Sequence, residues 1–172
     1  MRLHPAPPAD AEEKRYIDNY RRLVREHYVA EFEWRRFEDV PWAPLRKPVA
    51  EARVALIATV GAHRRGDAPF DISNPNGDPS FRRIPDTCST ADLTLSHEGY
   101  DTKNCLADIN CVFPLDRLHD LVGEARVGSA SPFHFSCMGY IPHVDPLLQE
   151  TAPAVARELR EAGVNAAVCV PT

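Results

Sequence analysis

One run constrains this chain more than any other: Val54-Ala55-Leu56-Ile57-Ala58-Thr59-Val60, introduced by Arg53. Successive side chains of a strand point to opposite faces, so a strand apolar at every position must be covered on both sides. Such a strand belongs at the centre of a sheet with helices above and below it. The apolar stretch, 54–62, is also too short to cross a bilayer.

Further elements alternate around it. Residues 92–97 alternate apolar and polar like a half-buried strand, 108–113 read as a short apolar strand, and 133–140 as a polar–aromatic strand. The final stretch, Val164-Asn165-Ala166-Ala167-Val168-Cys169-Val170-Pro171-Thr172, reads as a buried strand entered from a helix that stops at Gly163. Pro114 opens a helix through Leu115, Leu118, His119, Leu121 and Val122. Leu147, Leu148, Val155 and Leu159 give another an apolar face, with Pro153 predicting a kink or a restart at Thr151. Residues 71–86, rich in Asn, Pro, Gly and Asp, predict an ordered excursion of tight turns. The alternation predicts an α/β fold with an open, at least partly parallel sheet flanked by helices, Rossmann- or flavodoxin-like.

Ahead of this body, Ile17, Tyr20, Val24 and Tyr28 recur at helical spacing within 9–30, with Asp18 and Arg22 placed as an exposed pair. His4-Pro5-Ala6-Pro7-Pro8 is a stiff lead-in. Phe32, Trp34, Phe37 and Trp42 stand between charges and prolines and read as packing anchors. The expected division is an N-terminal helical arm, 1–40, and an α/β domain, 41–172, incomplete at its carboxyl end.

The formal charge of −5 and pI near 5.8 exclude a general nucleic-acid binder. The arginine doublets Arg21-Arg22 and Arg82-Arg83 read as solvated faces. The first eight residues hold no apolar run of a secretory signal, and five cysteines make no disulfide rhythm, so a cytoplasmic protein with reduced thiols and no membrane contact is expected.

The loop after the central strand, Gly61-Ala62-His63-Arg64-Arg65-Gly66-Asp67-Ala68-Pro69-Phe70, carries an imidazole, two guanidiniums and a carboxylate. Active groups in open α/β sheets gather beyond the carboxyl ends of the strands. It matches neither glycine-rich phosphate fingerprint. His63, His97 and His134 each lie at or beside a predicted strand end, and imidazole can move protons near neutral pH or ligate metal. A zinc site from these histidines with Cys111 or Cys137 lacks compact ligand spacing, and no metal is expected. A Cys–His hydrolase using Cys137 beside His134 lacks a marked oxyanion hole. Cys137 and Cys169 read as buried and inert, and no CxxC redox pair is present.

Several collinear segments resemble the glycine/sarcosine/betaine reductase selenoprotein B family, and most of all its short members grouped with D-proline reductase. They are Val54-Ala55-Leu56-Ile57 through Phe70, Gly77-Asp78-Pro79-Ser80-Phe81-Arg82, Ser96-His97, Asp108 through Leu118, and His134-Phe135-Ser136-Cys137-Met138-Gly139-Tyr140. The resemblance implies reductive cleavage of a C–N bond in a small amine or amino-acid-like substrate, with a dithiol as electron donor. In that family a strand ending in Val-Pro and one more residue is followed by selenocysteine or cysteine, then Pro-x-Cys. Val170-Pro171-Thr172 matches up to that position, so a selenocysteine codon read as a stop is expected after Thr172, and a product ending there is expected to be inactive. His63, His97 and His134 are then expected as proton donors and Asp67 as a catalytic orienter. Arg64 or Arg65 would hold a substrate carboxylate, with Asp108 and Cys137 at the substrate. No cofactor is expected in these residues themselves. A pyruvoyl carbonyl would come from a partner subunit, electrons from a thiol reductant protein, and homo-oligomers are expected. A reading of a different class stands beside this one, a non-catalytic binding or assembly subunit; a His/Cys metal-dependent enzyme is a third.

Overall fold

The computed structural model describes residues 11–27, 30–31, 42–97 and 101–172. The chain forms two units, 1–42 and 43–172. Of the first, helix α1 (Ala11–His27) is described. Arg21 pairs with Asp18 at 3.0 Å, and Arg22 turns forward to Glu26 at 3.1 Å rather than back to Asp18. Tyr28, the lead-in 4–8 and the aromatic residues 32–37 lie outside the described residues.

In the second unit β1 (Arg53–Ala58) is the central strand. On one side it runs parallel to β5 (Ser129–Ala130) and β6 (Phe133–Cys137), which follow one another along it, and on the other to β7 (Ala166–Val170). Strand β3 (Phe81–Pro85) adds to β6 antiparallel. The sheet is therefore mixed but mostly parallel, with the order β3-β6-β1-β7.

The two faces of β1 are sorted by parity. Val54, Leu56 and Ala58 pack with Ile84 beneath α2 (Lys103–Ala107) and α3 (Leu115–Gly123), through Ile109, Phe113, Leu115 and Leu118. Ala55 and Ile57 pack with Phe135 and Phe81 against Val155 and Leu159 of α4 (Ala152–Glu161). Each large side chain so buried contributes ~1.5–3 kcal/mol. A π-helical turn (Leu147–Thr151) precedes α4, where Pro153 cannot donate to the helix ladder.

Several expectations need correction. The final strand is not buried: β7 pairs with β1 along one side and leaves Ala167, Val168 and Cys169 exposed, so Cys169 is not the buried thiol expected. Residues 108–113 form no strand: Asp108 caps a 3₁₀ turn (Ile109–Cys111) that buries Ile109, because a short apolar run suits either conformation when one face is covered. The excursion 71–86 ends in β3. Of Arg82-Arg83 only Arg83 is exposed: Arg82 is largely covered and lies 4.0 Å over the Phe70 ring, while Arg83 lies 3.6 Å over that of Phe133. Their guanidinium groups cover these aromatic faces while bonding acceptors at the rim, Arg82 the Ala68 and Pro69 carbonyls and Arg83 Glu158.

The β5–β6 edge carries one irregularity with consequences. Val54 pairs with Ala130 but Ile57 with Phe135, so two extra residues bulge out between the strands. Pro132 lies in this bulge and has no N–H for the ladder. The Leu56 N–H instead donates to the ring Nδ1 of His134 at 3.0 Å.

Candidate active site at the carboxyl ends of the parallel strands

The chain leaves β1 through Gly61, whose φ of +69° turns it out of the sheet. A Cβ there would stand 2.2 Å from the Ser96 carbonyl oxygen, so the turn admits only glycine. Beyond it, β2 (Ala62–Arg64) and β4 (Leu93–Leu95) form an antiparallel ribbon rising from the end of the sheet. The ribbon is tied down where Gly61 donates to the Cys137 carbonyl at 2.8 Å and Ala62 to Ser136 Oγ at 2.7 Å.

This tie brings the end of β4 over the ends of β1, β6 and β7. The reporter is Gly139, just past β6. A Cβ there would lie 2.9 Å from the Thr172 carbonyl oxygen, 3.0 Å from that of Thr59 and 3.2 Å from His97 Nε2. Thr172 is fixed in turn by its N–H, which donates to Thr59 Oγ1 at 3.0 Å. One imidazole and two carbonyls thus converge on the glycine at the mouth of the parallel strands.

His63 stands behind this point. It is 5 % exposed, its Nδ1–H donates to the Arg64 carbonyl at 2.9 Å, and its Nε2 accepts from Ser96 Oγ at 2.8 Å. A carbonyl can only accept, which places the proton on Nδ1. The ring therefore braces the residue next to His97, with Phe70 set edge-on at 6.4 Å. Phe70 belongs to a small core with Met138 and Ile141, and Arg82 covers it while donating to the Ala68 and Pro69 carbonyls at 2.8 and 2.9 Å. Asp78 completes the clamp. Burial pushes its carboxyl up, but bonds from Ser80, from two backbone N–H groups and the Arg82 charge outweigh this and lower it. Arg82 and Asp78 were not among the expected site residues. The signal present was a lone acid four residues before an arginine in a turn-rich segment, which is common elsewhere.

The remaining expected residues lie elsewhere. His134 has no exposed surface and sits beside Leu56, five residues before Gly139, or ~16 Å along the strand. Its Nδ1 accepts the Leu56 N–H, so Nε2 carries the proton and donates to Asp86 Oδ1 at 3.0 Å. The same oxygen meets His119 Nε2 at 2.7 Å, and the Asp86 N–H donates to the Pro132 carbonyl in the bulge. Burial lowers the His134 pKa against the opposing pull of Asp86. Sequence reasoning missed the Asp86–His119 partnership because nothing in the spacing signals it.

Asp67 and Arg64 are joined by two bonds, 2.9 and 2.7 Å, at the exposed tip of the ribbon. The hydrogen bonds from Arg64 hold the Asp67 carboxyl below its usual range. Arg65 and Asp108 do come together, in a cavity of about 280 Å³ also lined by Thr90, Asn110 and Asp116. There Asn110 bridges the two acids, donating to Asp108 at 3.1 Å and to Asp116 at 2.8 Å, while Thr90 donates to Asp116 at 2.8 Å. The bonds from Asn110, then Thr90, lower the Asp116 pKa against burial. Cys137 is buried at the end of β6, and burial pushes its thiol up to about 11. Among the described residues no three His, Cys, Asp or Glu side chains cluster closely enough to hold a metal ion, and no helix is long and apolar enough to cross a membrane.

Comparison with known proteins places this architecture. The family model for glycine/sarcosine/betaine reductase selenoprotein B matches residues 9–172. The D-proline reductase subunit gamma of Acetoanaerobium sticklandii is 37% identical over 125 residues, 73% of this chain and 50% of that protein. The glycine reductase complex component B subunits gamma of Carboxydothermus hydrogenoformans and Symbiobacterium thermophilum are 26% and 28% identical, over 92% and 82% of this chain and 37% and 32% of theirs. The chain thus spans half or less of the length of these relatives. No solved structure matches. With the family model covering the whole α/β unit, this chain belongs to the glycine/sarcosine/betaine reductase selenoprotein B family.

Proposed function

We propose that this chain forms part of a reductase that cleaves the C–N bond of a small amine or amino-acid-like substrate, at the carboxyl ends of β1, β6 and β7. The observation that carries the reading is the convergence of His97, Thr59 and Thr172 on Gly139, in a chain whose relatives are named D-proline and glycine reductase subunits. The balanced reaction breaks C–N and forms C–H and N–H, while a dithiol gives up two electrons and two protons and becomes a disulfide.

In this proposal His97 delivers the proton at the strand ends, where imidazole can act near neutral pH. His63 is a positioning residue that holds Ser96 and, through it, the backbone of His97. Gly139 lets His97 and the ends of β1 and β7 approach one another closely, because no Cβ stands between them. Arg65 holds a carboxylate at the neighbouring cavity. His134 acts at a distance by fixing the β1–β6 register, and Cys137 as a buried thiol shaping the wall. The family's nucleophile, a selenocysteine or cysteine, would act beside His97, where the Thr172–Thr59 bond holds the chain after β7. When present it supplies a selenolate or thiolate ionised near neutral pH. A pyruvoyl carbonyl and the dithiol are supplied by partner subunits.

The test is a reduction assay with the reductase assembled from this chain and its partner subunits, using D-proline, glycine, sarcosine and betaine with dithiothreitol. One disulfide formed per C–N bond broken supports the proposal. Binding of partners without cleavage of any of these amines favours the assembly-subunit reading, for which the half-exposed Val168 on β7 gives a surface.

A further inference from the structure

The cavity beside the ribbon carries charges of both signs that the fold leaves unmatched. Arg65 follows β2, and its N–H donates to the Asp92 carbonyl at 2.9 Å, which fixes its backbone at the cavity wall. Its guanidinium makes no hydrogen bond or ion pair among the described residues, whereas that of its neighbour Arg64 is engaged with Asp67. Asp108 and Asp116 reach the same cavity from the 3₁₀ turn and from the first turn of α3. Asn110 joins them through a single amide nitrogen, 3.1 Å from Asp108 Oδ1 and 2.8 Å from Asp116 Oδ2. The Asn110 N–H adds a second bond to Asp108 Oδ1 at 3.0 Å, and Thr90 one to Asp116 Oδ2 at 2.8 Å. Every donor therefore falls on one oxygen of each carboxylate. Among the described residues, Asp108 Oδ2 and Asp116 Oδ1 receive none. Leu93, Leu106 and Ile109 complete the lining with apolar surface.

We infer that this cavity binds one small amino acid as its zwitterion, carboxylate on Arg65 and ammonium between Asp108 and Asp116, as a site separate from the Gly139 convergence. The inference rests on the reductase reading only in placing a carboxylate at Arg65. A bare carboxylate would pair with Arg65 but meet two like charges. A bare amine would pair with the acids and leave Arg65 alone. A zwitterion answers both, through charge-assisted hydrogen bonds at each end. The two free carboxylate oxygens call for N–H donors, so the site selects a primary or secondary ammonium over a quaternary one, which has none. A liquid water occupies ~30 Å³, so a cavity of about 280 Å³ admits an amino acid the size of proline, its carbons against Leu93, Leu106 and Ile109. Leu93 opens β4 and His97 lies beyond its end, ~13 Å further along extended chain. A molecule this small cannot span that distance, so an amino acid seated here is held and not reduced.

The experiment titrates the isotope-labelled whole chain with D-proline and follows backbone amide shifts by NMR, with glycine, betaine, acetate and methylamine as comparison ligands. The expected result is saturable shifts at Arg65, around Thr90 to Leu93 and from Leu106 to Asp116, with D-proline and glycine binding in roughly the millimolar range. Betaine, acetate and methylamine should each bind roughly fivefold more weakly or worse, since each lacks one part of the match. Arg65→Gln should weaken D-proline by a similar factor. So should Asp108→Asn, which keeps an oxygen to cap the 3₁₀ turn, and the same spectra report that both variants are folded. His97→Gln should leave these shifts unchanged. Shifts at the cavity in a chain whose assembled reductase shows no turnover would count against the reductase reading alone. Betaine or acetate binding as tightly as D-proline, or unchanged affinity in Asp108→Asn, would overturn the inference. Shifts confined to the surroundings of Gly139, or none at saturating ligand, would overturn it equally.

Discussion

Replacing His134 separates its two jobs. In His134→Phe the aromatic volume stays beside Phe113, which meets the ring edge-on at 6.3 Å, but both ring nitrogens go. The Leu56 N–H then has no acceptor in the interior, at ~1–3 kcal/mol. The bond to Asp86, which is partly open to solvent, adds roughly 1 kcal/mol. The expected loss is about 2–4 kcal/mol, or roughly 10 °C in Tm for a unit of this size. In His134→Asn the amide oxygen can take the place of Nδ1 and keep the Leu56 bond, so the loss should be near 1 kcal/mol. Burial depresses the folded-state pKa of His134 below 6.5, so at lower pH the unfolded chain binds a proton that the folded chain refuses. This contribution is complete above pH 6.5 and is lost as pH falls toward the folded value, at up to ~1.4 kcal/mol per pH unit. The facing groups, Asp86 and His119, remain in the variants, so the contrast with His134→Asn isolates the His134 part. Urea titrations from pH 5 to 8 measure all of this. Equal stability of His134→Asn and His134→Phe, or a wild-type pH slope retained in His134→Asn, would refute the reasoning.

Three further outcomes follow from single contacts. Cys137, with its thiol near pH 11, should resist iodoacetamide at pH 7.5 while exposed Cys169 reacts, as timed mass mapping would show. Arg82→Lys should lose the forked bonds to Ala68 and Pro69, cost ~1–2 kcal/mol, and speed proteolysis within residues 66–80 several-fold. Asp116→Asn should weaken the Thr90 and Asn110 bonds by up to ~1 kcal/mol at pH 7. Because the folded-state pKa of Asp116 is lowered, that contribution is present above the ordinary carboxylate value and fades as pH falls through the folded one, so denaturation curves of the two proteins should converge in acid.

Legibility of this sequence follows how local each constraint is. β1 could be read because a strand covered on both faces must be apolar throughout, and β7 because small and β-branched residues follow Gly163. β3 could not, since Phe-Arg-Arg-Ile-Pro looks charged until Phe70 and Phe133 are seen beneath its two guanidiniums. Residues 108–113 misled because a six-residue apolar run has no period long enough to separate a strand from a tight helical turn. At the site, His97 is where the rule of strand ends puts it. His134 obeys a different rule, since the bulge after Ala130 leaves an amide that an imidazole can satisfy, and register is invisible before strands are paired. Arg64 and Asp67 are close in sequence and neutralise one another, so their charge points to a stiff hairpin tip as much as to a ligand.

The central claim, that chemistry is carried out around Gly139 and His97, is tested most directly by turnover of the complete reductase carrying His97→Gln or Asp67→Asn. The account predicts a loss of roughly 100-fold or more in kcat for His97→Gln, the scale of a missing proton donor, with Asp67→Asn within about twofold of the unaltered enzyme. Full turnover in His97→Gln, or an equal loss in Asp67→Asn, would contradict it.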